Sequence, residues 1–485
     1  AWFDGLEHLG ASAADEYYSD LEPLLSKAER ERWKSMDLAA RTKFLHDFWD
    51  VRAALGGVTT AERLADHYRR LAVARKTYYR GPRYGAPMSN ELRMLPFSQR
   101  SWFDDRGLIY IRHGDPRARI GRQSLIDNSV SAAVGEQMLS YESWIYDGLD
   151  GAPRSFHFEG SGNDFHLMHK LPCNSEWLNE RVAYEPRFGP LATRCGNDVQ
   201  AASADMRAVA FDALATDSDR PKFTKELPFF FDLYTFRANE GRTSVVAAVA
   251  VPRERLNLSA VASNPAYRID LSLILVDTVS RRVVRQDDSV ALATQRGPGN
   301  DDLFRLHVEV AVPPSRSTVQ RVIVSDPSEP GVGQLYGGPF PIPDYSGSKL
   351  MLSDVVLAEP GVTGRWHRGD VSLALVPTRY FRGGSFNVFY EVYNIEQDAQ
   401  YSTEIVIEPL RKSRGEKLKG LFGGGPGPIT LRFAGVATTA RNGVLQELRR
   451  VDAQLGKGTY RLRVTVKNLE NGETSKNERT FSVPD

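Results

Sequence analysis

The stretch Phe229-Phe230-Phe231-Asp232-Leu233-Tyr234-Thr235-Phe236, with Val245 to Val251 beyond a turn-rich connection, decides the fold. From about Glu226 the apolar period is two, and period two sends successive side chains to opposite faces of a strand. Tyr267 to Asp277, Phe304 to Val312 and Arg321 to Val324 continue the pattern, so 226–325 is predicted to be an antiparallel β-sandwich. Asp326 to Ser348 holds five prolines and five glycines and reads as a linker, 326–348. Beyond it, 349–485 is predicted to be a second sandwich, with Tyr460 to Val466 as its clearest strand and Asn471-Gly472 as the turn into Arg479 to Val483.

Upstream the period lengthens. Leu38, Phe44, Leu45, Phe48, Trp49, Arg52 and Leu55 recur at three- and four-residue steps until Gly56-Gly57 stops them. Thr59-Thr60-Ala61-Glu62 has the form of a capping box and opens a second helix with Leu64, Tyr68, Leu71 and Tyr78 on one face. Helices are therefore expected within 20–80, short strands at 108–112 and 141–146, and loops over 150–215. The chain reads as a multidomain α+β protein: an α+β unit over 1–215, then two antiparallel, immunoglobulin-like sandwiches.

Lys and Arg number 62 against 61 Asp and Glu, which leaves no basic excess to neutralise phosphates and argues against nucleic acid as the partner. The bias of 48 Arg to 14 Lys is explained by GC-rich coding. No apolar run approaches the ~20 residues that span a bilayer, so any membrane contact is expected to be peripheral. A start at Ala1 without Met reads as the product of a signal peptidase, which suggests a periplasmic or other extracytoplasmic site. Cys173 and Cys195 enclose 21 residues, and a disulfide there fits export, while two reduced thiols are the alternative.

Two clusters carry the candidate chemistry. Asp104, Asp105, Arg106, His113 and Asp115 offer carboxylates and an imidazole for acid–base work or cation binding, although adjacent Asp residues before Arg-Gly also suit a turn, with Trp102 and Trp144 as core aromatics. His157, Glu159, Asp164, His166, His169 and Cys173 fall within 17 positions and offer zinc ligands, but at a spacing unlike a zinc site. There is no Gly-x-Ser-x-Gly elbow, Walker A loop or dinucleotide fingerprint, so no catalytic residue, cofactor or metal is expected. The basic stretch Arg411 to Phe422 brings Leu418, Leu421 and Phe422 into a glycine-rich loop, and Trp2 and Phe3 lie at the start of the chain. Both are candidate contacts for a partner protein or lipid headgroups, against the alternatives of a solvated hairpin tip and a tucked-in terminus.

Ser101-Trp102-Phe103-Asp104-Asp105-Arg106-Gly107, then Ile109 to Pro116, then Tyr141 to Tyr146, resembles the GWxTD domain family. Phe48-Trp49-Asp50-Val51-Arg52, Tyr68 to Ala74, Phe389 to Asn394 and Gly458-Thr459-Tyr460 resemble further elements of that family, whereas Ser101 and Asp104 stand where the family name has Gly and Thr. The resemblance implies an exported bacterial protein of the Gemmatimonadota or Bacteroidota type and brings no catalytic set. Trp102, Asp104, Asp105, Arg106, Gly107, Gly114, Asp115, Pro116 and Trp144 are then expected to be structural. The functional expectation is a non-enzymatic accessory subunit that stabilises a membrane-associated complex by contacts with other protein subunits. By context, the host would be a photosynthetic reaction centre with its antenna. The alternatives are a periplasmic hydrolase or metal-dependent enzyme built on one of the two clusters, and a carbohydrate or peptide binder with aromatics exposed on a sandwich face.

Overall fold

A computed structural model describes residues 2, 5, 8, 10–79, 103–121, 140–147, 153–161, 164–168, 170–217, 223–256, 266–293, 303–329, 331–360, 366–377, 384–410, 428–453 and 455–483. They form two compact units, Ala1–Arg220 and Pro221–Asp485. The fold is α+β with mostly antiparallel sheets, and no described helix is long and apolar enough to cross a membrane.

The first unit opens with α1 (Ala11–Leu21), α2 (Lys27–Lys34), α3 (Leu38–Gly56), α4 (Thr60–Thr77) and α5 (Asp105–His113). Capping fixes several starts: Ser26 with Glu29 and Thr59 with Glu62 form reciprocal boxes, and Asp37 accepts from the Ala40 N–H. Gly57, at φ 77°, ends α3 in the left-handed region that glycine adopts without strain. Four antiparallel strands follow in the order β1 (Ala118–Gly121), β2 (Ser140–Asp147), β3 (Pro153–Ser161), β4 (Asp164–Leu167), and then α6 (Ser175–Tyr184), α7 (Gly189–Asn197) and α8 (Val199–Ala215). One sheet face puts Trp144, Phe156, Phe158, Phe165 and Leu167 into the core that holds Trp49, Leu71 and Ile109. The other face meets α6, where His157 lies against Trp177.

Two expectations are corrected here. The segment 108–112 is the middle of α5, not a strand. A buried run of four apolar residues has no period to separate strand from helix, and the outcome is set by Asp104 as N-cap and Gly114, at φ 74°, as the stop. The expected loops of 150–215 contain two strands and three helices, with Asn174 capping α6 and Asp198 accepting from the Gln200 and Ala201 N–H groups at the start of α8.

The second unit begins with β5 (Lys225–Glu226), β6 (Phe230–Arg237), β7 (Thr243–Pro252), β8 (Ala266–Asp277), β9 (Val283–Ala293), β10 (Leu303–Val312), β11 (Thr318–Ser325) and β12 (Val332–Pro339). The sheets β10-β7-β6 and β5-β12-β11-β8-β9 enclose one core through Val245, Val249, Leu271, Leu273, Val308 and Val322. It continues with β13 (Met351–Leu352), β14 (Val356–Ala358), β15 (Trp366–Arg368), β16 (Val371–Leu373), β17 (Gly384–Tyr393), β18 (Gln400–Pro409), β19 (Ile429–Val436), β20 (Val444–Ala453), β21 (Gly458–Asn468) and β22 (Thr474–Val483). There β17 pairs with β13, β14 and β20, and packs across Phe386, Tyr390, Leu462 and Val464 against the sheet β19-β18-β21-β22.

The expected linker 326–348 is corrected as well. Its centre is β12, paired with β11 from Val319↔Pro339 to Ser325↔Gly333. Two of its glycines sit where a side chain would be crowded: a Cβ on Gly337 would lie 2.6 Å from the Arg321 guanidinium, and one on Gly333 would lie 2.3 Å from the Phe223 ring. Downstream, Tyr345 is buried and its hydroxyl lies 2.8 Å from Thr235 Oγ1.

β7 shows how the two sheet pairs are joined. Val245, Ala247, Val249 and Val251 face the first core, while Val246 and Ala248, with Tyr234 and Phe236 of β6, pack on Val356, Trp366, Leu375 and Phe389. Both faces of the strand are therefore buried, which is why its sequence is continuously apolar.

Candidate functional site

Four of the residues that carry the family resemblance, Asp104, Asp105, Arg106 and Trp144, lie with Glu142 at the start of α5. Asp104 is fully buried as its N-cap. Its Oδ1 accepts from the Gly107 N–H at 3.0 Å, and its Oδ2 accepts from Arg106 Nε and Nη2 at 2.9 and 2.7 Å and from the Phe165 N–H at 3.3 Å. Burial pushes the Asp104 carboxyl up, and the Arg106 guanidinium opposes that push. Arg106 Nη1 donates to Glu142 Oε2 at 2.8 Å, Trp144 Nε1 donates to Glu142 Oε1 at 2.5 Å, and the guanidinium lies 3.7 Å from the centre of the Phe165 ring. Asp105 Oδ2 accepts from the Leu167 N–H at 2.8 Å. Both aspartates thus receive N–H groups along the outer edge of β4, a row that would otherwise be open to another strand.

Gly107 leaves room for the neighbouring chain, since a Cβ there would lie 2.7 Å from Phe103 Cβ. At the far end of the helix the Gly114 carbonyl accepts from the Tyr146 hydroxyl at 2.9 Å, and Asp115 accepts from Tyr110 at 3.0 Å and Arg69 at 3.3 Å. Pro116 leads into β1, where the Arg117 N–H donates to the Ile145 carbonyl at 2.7 Å. Trp102 lies outside the described residues.

As a single site, Asp104, Asp105, His113 and Asp115 are not brought together. The aspartates start α5 and His113 ends it, a helical rise of about 12 Å at ~1.5 Å per residue. His113 turns to the Ala213 carbonyl at 2.8 Å, and burial holds its pKa down at about 4. Nor does the histidine cluster gather. His157 Nδ1 lies 2.8 Å from Ser143 Oγ and its Nε2 3.2 Å from Ser155 Oγ, with burial and then Arg181 holding it neutral down to about 3. His166 sits between Asp105 and Asp164 at 3.8 and 3.4 Å, and His169 is outside the described residues. Among the described residues no three His, Cys, Asp or Glu side chains converge as a metal site. Ser143 and His157 resemble a nucleophile and its base, but at 0 and 1 % exposure they are closed to substrate. Cys173 and Cys195 form a disulfide with Cα atoms 5.4 Å apart.

Trp2, expected at a partner or membrane surface, turns inward: its Nε1 donates to the Tyr68 hydroxyl at 2.9 Å and its ring meets Tyr17 edge-on at 4.6 Å. Phe3, Leu418, Leu421 and Phe422 lie outside the described residues. A cleft of about 850 Å³ at α1 and α2 is lined by already paired charges, Lys34 with Glu31 and Arg41 with Asp15.

Sequence reasoning missed the charged centre of this unit. Arg63 and Arg112 are buried, and with Arg52 they surround the region of Asp217: Arg63 Nη2 lies 2.9 Å and Arg52 Nε 3.3 Å from its Oδ2, while Arg112 donates to the Thr216 carbonyl at 3.1 Å. Burial works against the charged form of Asp217, yet Arg52 and Arg63 hold its carboxyl at about 2. The available signal was the spacing of Arg63, His67, Arg70 and Ala74, one continuous helical face.

No family model matches the chain, and no curated protein matches it. Among solved structures it is similar to red sea bream transglutaminase at 12 % identity and TM-score 0.16, over 71 % of this chain and 41 % of that one. It is similar to Bacteroides uniformis β-glucuronidase at 9 % identity and TM-score 0.18, over 50 % and 26 %. The chain thus spans less than half the length of either, and likenesses this weak carry no argument about its chemistry.

Proposed function

We propose that this protein is a non-enzymatic accessory subunit that stabilises a larger, membrane-associated complex outside the cytoplasm through protein–protein contacts. In this reading the first unit is a GWxTD-type domain and the second a rigid pair of immunoglobulin-like sandwiches. The observation that carries the proposal is the use made of the motif side chains: Asp104, Asp105, Arg106, Glu142 and Asp115 hold α5 against the sheet and α4, the work of a scaffold. The disulfide is compatible with an extracytoplasmic site. Aromatic platforms for sugars do not favour the binder reading, because the exposed large apolar side chains of the second unit, among the described residues, are Val279, Leu410, Val436, Leu448 and Leu469.

The test is native mass after gentle detergent extraction from source membranes, with mass spectrometry of the co-migrating proteins. A defined set of companions is expected, and their identity decides whether the host is a reaction-centre assembly or another. Migration at the 54.2 kDa of the monomer would overturn the proposal.

A further inference from the structure

The helices α6 and α7 form a small layer over one face of β2 and β3, in which Met168, Leu171, Trp177 and Cys195 pack against Ala202 and Met206 in the first half of α8. Phe188, with Val182 and Leu191, packs the layer on Ile120 and Ile145 of the sheet, and two further features bear on its opening. One is the disulfide, which joins Cys173, just before α6, to Cys195 within α7; it closes the layer on itself and so restricts the chain once the helices unfold. The other is a buried polar chain beneath α6, in which Arg181 Nε donates to Ser143 Oγ at 2.8 Å and Ser143 Oγ lies 2.8 Å from His157 Nδ1. The second half of α8 is anchored elsewhere: Ala210, Ala213 and Leu214 belong to the main core, and Asp217 beyond it is held by Arg52 and Arg63.

We propose that residues 170–197 are a thiol-gated latch: reduction of Cys173–Cys195 lets α6 and α7 unfold away from β2 and β3 while the C-terminal half of α8 and the rest of the unit stay folded. The reductant is a dithiol. Its thiolate attacks Sγ of the half-buried Cys173, the S–S bond breaks, and the electron pair leaves on Cys195 Sγ, which takes a proton from water. The second thiolate then attacks the reductant's own sulfur in the mixed disulfide and releases Cys173 as a thiol after protonation. Two electrons have passed to the protein, and the dithiol has become a cyclic disulfide. Closing a loop of this size is worth ~3 kcal/mol, about a hundredfold in the opening equilibrium. Opening also hydrates Arg181 and exposes His157 to protonation. Because burial first, and then the Arg181 charge, keep this imidazole neutral in the closed layer, acid should favour the open state.

Hydrogen exchange read by mass spectrometry on the full chain tests the latch. The oxidised protein is compared with the same protein in dithiothreitol and with the Cys173→Ser/Cys195→Ser variant. The expected result is exchange about a hundredfold faster over 175–197 in dithiothreitol and in the double variant, with α3, α5 and the C-terminal half of α8 unchanged and a larger effect at pH 5.5 than at pH 7.5. Acceleration below threefold, or equal acceleration in α3 and α5, would overturn the proposal. The dithiothreitol arm starts from folded protein, so it decides the matter even where the double variant fails to fold.

Discussion

Arg63, Arg70, Arg112 and Arg181 are each at most 2 % exposed, and a guanidinium is stable in a core only when acceptors meet it there. Asp217 is the acceptor shared by Arg52 and Arg63. Asp217→Asn leaves them facing a neutral amide and should cost the first unit ~3–5 kcal/mol. Six of the seven tryptophans lie in 1–220, so urea unfolding followed by fluorescence reads that unit, and an unshifted midpoint would contradict the role given to Asp217. Acid should act on the same unit. His67, His113 and His157 are held at about 3, 4 and 3, each by burial first, so they are neutral when folded and titrate near ~6.5 when unfolded. The stability they contribute is present above ~6.5 and drains away as pH falls toward their folded values, each pH unit removing about 1.4 kcal/mol per histidine at most. Loss of tryptophan near-UV signal between about pH 6 and 4 is expected, and a signal flat to pH 4 would refute it. These charges were hard to read in the sequence because partner and arginine are far apart: 154 positions separate Arg63 from Asp217. Along α4 alone, Arg63, His67 and Arg70 pass for a solvated face.

At the scale of elements, legibility followed local information. The Thr59 capping box, the apolar faces of α3 and α4 and the alternation in β21 are set by neighbours in sequence, and those elements stand where the pattern puts them. In sequence α5 looks like a strand because Leu108 to Ile111 is buried all round and its caps alone carry the distinction. The purpose of Asp104 and Asp105 was hidden for another reason, since the strand edge they cover lies some 60 positions later. Gly107→Ala tests how tightly this start is built. The new methyl would meet Phe103 Cβ at 2.7 Å and Tyr78 Cβ at 3.0 Å, both fixed close to backbone, and overpacking of that kind costs ~1–3 kcal/mol. A fall in thermal midpoint is expected. No fall would show that 78 and 103 can retreat.

For the molecule as a whole, the second unit departs most from a string of modules. A Pro- and Gly-rich composition suggested a flexible joint, whereas β12 is laced into a sheet and β7 lies between two cores. Trp366 Nε1 reaches Glu309 at 3.2 Å, and Arg368 Nη1 lies 3.6 Å from the same carboxylate. The two sheet pairs should therefore unfold together. Hydrogen exchange in urea should give one midpoint for β8 and β21, and two well-separated midpoints would show the joint to be weak. The outer edge of β6 bears on the same point: the Leu233 carbonyl accepts from Arg479, the Thr235 N–H donates to Asp354, and the Arg237 N–H donates to the Tyr393 hydroxyl. All of these partners lie more than a hundred residues downstream. A ribosome making this chain releases β6 and β7 long before the residues that cover them exist, so the nascent protein carries Tyr234, Phe236 and Val246 uncovered through much of its synthesis. A holdase that shields that face until Trp366 and Phe389 emerge would govern how much of the protein is ever produced.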